Sequence, residues 1–396
     1  MKPNIHRVIS TILSLFCGTA LTSCVGGQSS ETTAQRMMIT NASKESQITE
    51  PGSPEQQLLL KRIAYLETVT YRSFILTGEE SPFYVGRWFE KEIDGIPHKV
   101  TLTDGAHLYF LIEDANSFDV VFTAQTTMAE PYFAYSIDGG KPVRQHISEP
   151  TVVLPDTGRH SVCLIADGMT ENEGKWDLEK GFAIMAITPS FGGSIVGIRP
   201  TEKVIFFYGD SITEGVRALG MSANSDGNSA TNEYSWHCAE TLGVTPYLIG
   251  YGASGIIMPG SFNTMLNAID YLSEARPVLD DVVPDVIIVN HGTNDGRQDS
   301  IFFEEGLTTT LIRLREKYPD TPIVYLIPFN QAHAQTITSV VKKLENAYVI
   351  ETNEWTVYYT DGVHPNAMGA MMAGRKLAER LKDIFGYDFF ALKKNT

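Results

Sequence analysis

The sequence predicts an α/β protein in two parts. A domain with a mainly parallel sheet covered by helices on both faces is preceded by an all-β sandwich of jelly-roll type. Three observations predict this. Between Tyr71 and Pro189 short β-forming runs alternate with turn signals. From Val204 onward apolar runs alternate with helical stretches, the pattern of a parallel sheet with crossover helices. The first of those runs ends in Gly209-Asp210-Ser211, which reads as a strand-to-helix turn at the carboxyl edge of such a sheet. Open α/β folds place their ligands at that edge.

The N-terminus differs from the rest. Lys2 and Arg7 give a basic start, and Val8 to Leu21 is mostly apolar but too short and interrupted to span a bilayer. Leu21-Thr22-Ser23-Cys24 then reads as a lipobox and resembles bacterial lipoprotein signals. That resemblance implies lipidation at Cys24 and a membrane partner held through the lipid. It implies an exported bacterial lipoprotein on a periplasmic or cell-surface face. An ordinary cleaved signal or an anchor is the alternative. Residues 25–55 are rich in Ser, Thr, Gln, Glu and Gly and read as a flexible tether. Glu55 to Thr68 could form a short helix.

The all-β pattern follows. Residues 98–103 alternate polar and apolar, as do parts of Tyr109 to Glu113. Further short strands are expected at Asp119 to Ala124, Tyr132 to Ile137, Thr151 to Leu154, Ser161 to Ala166 and Phe182 to Ile187. Asp104-Gly105, Asp138-Gly139-Gly140 and Pro155-Asp156-Thr157-Gly158 separate them. No catalytic cluster is visible here. Trp88, Tyr109 and Tyr135 suit either sugar stacking or a core, and core is the commoner use of such residues.

Phe191 to Thr201 reads as the junction. Strands are then expected at Val204 to Tyr208, Pro246 to Ile249, Asp285 to Asn290, Pro322 to Pro328 and Ala347 to Glu351. Helices are expected at Thr264 to Leu272, Glu304 to Tyr318, Ile337 to Glu345 and Asn366 to Phe385. The organisation is therefore signal at 1–24, tether at 25–55, β domain at 56–195 and α/β domain at 196–396.

Composition narrows the function classes. The 31 basic and 47 acidic residues leave a formal net charge of −16, which disfavours nucleic-acid partners. Cys17 and Cys24 belong to the signal. Cys163 and Cys238 fall in different predicted domains and read as buried free thiols. No Cys/His spacing suggests a metal site.

Ser211 has two readings. With Glu214 three residues on, it matches a capping box and could simply start a helix. A serine at such a turn also suits a nucleophile whose attack creates an oxyanion. Later strand ends supply what that chemistry needs. Gly250-Tyr251-Gly252-Ala253-Ser254-Gly255 offers backbone N–H donors from glycine. Asn290-His291-Gly292-Thr293-Asn294-Asp295 offers the Asn294 amide. Thr360-Asp361-Gly362-Val363-His364 offers a base and a carboxylate to fix its tautomer.

This ordered set over about Lys203 to Tyr387 resembles the SGNH, or GDSL, hydrolase superfamily. The resemblance implies a three-layer α/β/α domain and a Ser211, His364, Asp361 triad. Its oxyanion hole would be the Ser211 and Gly255 N–H groups and the Asn294 side chain, with Gly252 competing for the glycine position. Asp210, His291 and Asp295 are expected to brace loops. An all-β domain in front resembles carbohydrate esterase family two, through Gly86-Arg87-Trp88 and Ala166 to Glu171. Those enzymes remove acetyl groups from plant polysaccharides, and some lack the triad aspartate, so a Ser–His dyad is the alternative.

The expected activity is serine ester hydrolysis, of the acetylesterase or acetyl xylan esterase type, with an acetylated carbohydrate as substrate and no metal or organic cofactor. Trp355, Tyr358 and Tyr359, just upstream of the histidine loop, could stack on a sugar ring or pack the sheet edge. A lipid or aryl esterase of the same superfamily, or a non-catalytic glycan-binding lipoprotein, are the competing functions.

Overall fold

The computed structural model describes residues 74–124, 128–200, 202–279 and 282–391. The expected signal with Cys24, the tether and the helix from Glu55 lie outside the described residues.

The β domain is two antiparallel sheets face to face. Its strands are β1 (Phe74–Leu76), β2 (Phe83–Val85), β3 (Trp88–Ile93), β4 (Ile96–Thr101), β5 (His107–Glu113) and β6 (Ser117–Ala124). They continue as β7 (Tyr132–Ile137), β8 (Val143–His146), β9 (Thr151–Val153), β10 (His160–Gly168), β11 (Phe182–Pro189) and β12 (Ser194–Pro200). One sheet runs β1-β12-β5-β10-β7-β8 with β2 beside β5, and the other runs β3-β4-β11-β6-β9.

Alternation explains the packing. Leu108, Phe110 and Ile112 of β5 point between the sheets with Phe118, Phe133, Leu164 and Phe182. Tyr109, on the opposite face of β5, joins the core of the α/β domain instead. The strand is buried on both sides, so its polar–apolar alternation is incomplete. Tyr109 is thus core rather than a sugar platform.

The segment expected as a junction is mostly strand. Ile195, Val196 and Gly197 of β12 pair with Ile112, Leu111 and Phe110, so the β domain extends to Pro200 rather than ending at 195. Gly192-Gly193 turns the chain between two strands of the sandwich and not between domains.

The α/β domain follows: β13 (Val204–Gly209), α1 (Ser211–Glu214), α2 (Tyr234–Leu242), β14 (Thr245–Gly250) and α3 (Met265–Asp270). A small hairpin, β15 (Tyr271–Ser273) with β16 (Arg276–Pro277), takes the place of the expected last helical turn of α3. Then come β17 (Val286–Asn290), α4 (Ser300–Lys317), β18 (Ile323–Leu326), α5 (Ala334–Val341), β19 (Ala347–Ile350) and α6 (Ala367–Phe385). The sheet is parallel in the order β14-β13-β17-β18-β19. The apolar runs of β13, β14, β17 and β18 are buried on both faces, which is why they read as continuous rather than alternating.

The two domains share cores. The described residues of both domains fall in one compact unit. Gly105, at φ +83°, brings the β5 entry against β14, where an added Cβ would sit 2.1 Å from a Leu248 methyl carbon. Lys175, between β10 and β11, reaches the Glu214 carboxylate of α1, and both side chains are about fully buried. Burial pushes the Glu214 carboxyl up, against the pull of that lysine. A buried ion pair is costly to break from one side, because the survivor stays desolvated and unpaired. Replacing Lys175→Met should lower the unfolding free energy by roughly 3–5 kcal/mol, measured by denaturant titration. A midpoint equal to that of wild type would show that the pair does not hold the domains together.

Candidate active site

Ser211 begins α1 directly after β13. Gly209, the last residue of the strand, has no room for a side chain: a Cβ would meet the Thr213 hydroxyl at 1.9 Å. The helix is capped by Asp210, whose carboxylate accepts from the Ile212 N–H at 2.9 Å. The capping-box reading of Ser211 and Glu214 is therefore corrected. Asp210 caps the helix, Glu214 turns to Lys175 and the Gly252 N–H, and the Ser211 hydroxyl is left available. Burial, with Asp295 and Glu171 nearby, pushes Asp210 up to about 7.

The histidine arrives from the other end of the sheet. After β19 the chain forms a bridge between Tyr359 and Pro365, closed by the Thr360 N–H to the His364 carbonyl at 2.9 Å. His364 Nε2 lies 2.9 Å from Ser211 Oγ, and Nδ1 lies 2.9 Å from Asp361 Oδ2. An ionised carboxylate only accepts, so Nδ1 carries the proton and Nε2 accepts from the serine hydroxyl. Asp361 Oδ1 takes the Val363 and His364 N–H groups at 3.0 and 2.8 Å. Burial would raise the Asp361 carboxyl, but these N–H groups, the imidazole and the Arg217 guanidinium outweigh it and hold it well below the usual carboxylate range.

The oxyanion side is less simple. The Ser211 N–H is the first of its helix and has no intrahelical acceptor. Asn294 donates to the Ser254 carbonyl at 2.9 Å and sits 3.4 Å from Asp210 Oδ2, so one amide N–H is firmly bound and the other loosely. The Gly255 N–H, however, donates to the Met258 carbonyl at 2.8 Å. The Gly252 N–H is turned toward the Glu214 carboxylate. Gly255 presents no free donor in this structure, and Gly252 faces a carboxylate.

Asp295 is the cause. Its buried carboxylate gathers the N–H groups of Ile256, Ile257 and Met258 at 2.8, 3.0 and 3.1 Å and curls the chain back on Gly255. A Cβ on Gly255 would lie 2.5 Å from that carboxylate, so glycine is required there by close approach. His291 is buried beside the same loop and pushed down to about 4 by burial, so it is neutral and bonded to the Ser254 backbone.

The three aromatic candidates separate. Trp355 packs against Phe329 at 6.2 Å on the flank of the core. Tyr359 is half-buried in its bridge. Tyr358 is 53% exposed and offers a ring face. Cys163 and Cys238 are not in disulfides; Cys163 is only partly buried, against expectation, while Cys238 is buried and its thiol pushed up by that burial. Among the described residues no group of His, Cys, Asp and Glu is arranged to hold a metal.

Sequence reasoning missed Arg217. Its guanidinium pairs with Asp361 Oδ2. An arginine in a loop gives no periodic or motif signal, and only the fold brings it to the triad carboxylate.

Residues 207–371 match the GDSL-like lipase/acylhydrolase family. No curated protein matches the chain. Among solved structures, a family two carbohydrate esterase from Clostridium thermocellum in complex with cellohexaose is similar at 18% identity and TM-score 0.63, over 78% of this chain and 100% of that one. An acetyl xylan esterase from the rumen bacterium Butyrivibrio proteoclasticus is similar at 15% identity and TM-score 0.62, over 80% and 100%. A salicylyl-acyltransferase from a tetracycline biosynthetic pathway is similar at 16% identity and TM-score 0.57, over 79% and 99%.

Asn294, expected as an oxyanion donor, keeps one amide N–H that is only loosely held, 3.4 Å from Asp210 Oδ2. Asn294→Ala should cut kcat by about 100- to 1,000-fold with little change in KM, read from initial rates on an activated acetyl ester. A change confined to KM would assign Asn294 to substrate binding.

Residues 207–371 thus match the GDSL-like lipase/acylhydrolase family, and with the β domain in front of them the fold is similar to that of the family two carbohydrate esterases.

Proposed function

We propose that the protein is a carbohydrate O-acetylesterase that hydrolyses acetyl esters on plant-type polysaccharides or oligosaccharides. The observation that carries the reading is the aligned series Ser211 Oγ, His364 Nε2, His364 Nδ1 and Asp361 Oδ2, joined by two contacts of 2.9 Å. His364 takes the hydroxyl proton as Ser211 attacks the acetyl carbonyl. The negative oxygen is met by the Ser211 N–H and by the loosely held Asn294 N–H. The C–O bond to the sugar breaks as protonated His364 returns the proton to the leaving oxygen. Water, deprotonated by His364, then cleaves the acetyl-serine to acetate and restores Ser211. The cycle closes with these side chains and water alone.

A sugar substrate is supported by three things. The Clostridium structure holds cellohexaose. The Butyrivibrio protein is an acetyl xylan esterase. Tyr358 stands exposed six residues before the base. The lipid or aryl esterase reading predicts tolerance of long or aromatic acyl groups. The glycan-binding reading predicts no turnover.

Export and lipidation at Cys24 belong to the same reading, and would hold the enzyme on a membrane within reach of external glycans. One experiment tests both parts in the native host. Membrane fractions should release acetate from at least one of acetylated xylan, mannan and pectin, and Ser211→Ala should abolish the release. Rates on model esters should fall sharply beyond short acyl chains. Cys24→Ser should move the activity to the soluble fraction. Equal acetate release by Ser211→Ala, or activity that stays with the membrane after Cys24→Ser, would overturn the corresponding part.

A further inference from the structure

The triad carboxylate has a second side-chain partner, a cation, that the ester-hydrolysis cycle does not use. Asp361 Oδ2, the oxygen facing His364 Nδ1, also accepts from the Arg217 guanidinium. Arg217 lies just beyond α1, so nucleophile and arginine travel on one segment. Its backbone is left-handed, at φ +58°, a conformation a long side chain adopts only when its surroundings fix it.

Those surroundings are specific. The Arg217 N–H donates to the Asn228 side chain at 2.9 Å, and the Arg217 carbonyl accepts from the Thr360 hydroxyl at 2.8 Å. Its Nε donates to the Met221 carbonyl at 3.1 Å. Asn228 is fully buried and is held in turn by the β domain. Its amide donates to the Met169 carbonyl at 2.8 Å, and its own carbonyl accepts from Arg144 at 3.0 Å. Asp167 of β10 binds Arg144 at 2.8 Å and takes the Thr231 N–H at 2.8 Å. A continuous series of hydrogen bonds therefore runs from the β domain through Asn228 and Arg217 to Asp361, and from there to His364 and Ser211.

We propose that Arg217 is a positioning residue of the triad, set in place by the β domain through Asn228, so that the front domain is an obligate part of the catalytic apparatus. Arg217 fixes the plane of the Asp361 carboxylate and draws part of its charge away from His364. A carboxylate shared with a guanidinium stabilises protonated His364 less than a bare one does. The charged groups that face this pair are few. Among the described residues only Arg217 and His364 bond to Asp361 through titratable side chains. Asp210 is engaged with Ile212 and Asn294, and Glu214 with Lys175 and Gly252. Asn366, which opens α6, caps its own helix at Gly369.

The inference rests on the esterase reading, and its test separates the two. Hydrolysis of an activated acetyl ester is followed against pH, so no polysaccharide is needed. For Arg217→Met, kcat should fall about tenfold, and the acid limb of kcat/KM should move to higher pH by about half to one unit. Arg217→Lys, which restores the charge, should bring the limb back toward wild type while kcat stays reduced. Asn228→Ala should shift the limb in the same direction as Arg217→Met, although Asn228 touches neither substrate nor triad. Circular dichroism of each variant establishes folding, and Arg217→Gln replaces Arg217→Met if the latter does not fold. An acid limb unmoved in the folded Arg217 variant overturns the positioning role. A limb that moves with Arg217 but not with Asn228 overturns the part given to the β domain. An inactive wild type contradicts the esterase reading itself.

Discussion

The 2.9 Å contact between Ser211 Oγ and His364 Nε2 joins residues 153 apart in the chain, and the architecture can be derived from the need to make it. A parallel sheet brings every strand's carboxyl end to one edge, so loops distant in sequence meet there. β13 delivers the serine, the loop after β14 delivers the glycine-rich turn, β17 delivers Asn294, and the segment after β19 delivers the histidine. β13, β14, β17 and β18 are buried on both faces, which makes the edge rigid enough to hold an alignment of a few tenths of an ångström.

The cap on α1 decides whether that contact can exist. A serine that closes its own helix has its oxygen turned to the backbone. Here Asp210 does the closing, so the next residue keeps its hydroxyl for the imidazole. The same economy recurs at Asp295, whose carboxylate folds the turn at Gly255 without reacting. Buried carboxylates in this site mainly organise backbone N–H groups, and only Asp361 faces the base.

Much of this was legible in the residues. The strand before Ser211, the asparagine after β17 and the Asp-x-x-His loop each carry local signals, because apolar runs, turn glycines and short spacings are local quantities. The helix cap was misassigned because Ser-x-x-Glu and Asp-Ser both satisfy capping rules, and only the fold shows Glu214 drawn away by Lys175. The boundary at 195 failed for a related reason: glycines at 192 and 193 mark a turn but not what it connects. Arg217, Asn228, Arg144 and Lys175 were invisible, since their partners lie tens of residues away and no period or motif encodes such pairs. Gly255 shows the reverse case. Its presence was read as an oxyanion donor, while its closest neighbour is the Asp295 carboxylate.

The β domain thereby changes role. It shares hydrophobic core with the α/β domain through Tyr109 and Ile165, and its polar residues hold the loop that follows the nucleophile. The central claim, that Ser211 is made nucleophilic by His364 and Asp361, is tested most directly by trapping the intermediate. The protein is mixed with an activated acetyl ester, quenched in acid, digested and analysed by mass spectrometry. The account predicts a single acetyl group on the peptide containing Ser211, lost when His364 is replaced by alanine. Acetylation elsewhere, or turnover with no acetyl-serine under rapid quench, would contradict it.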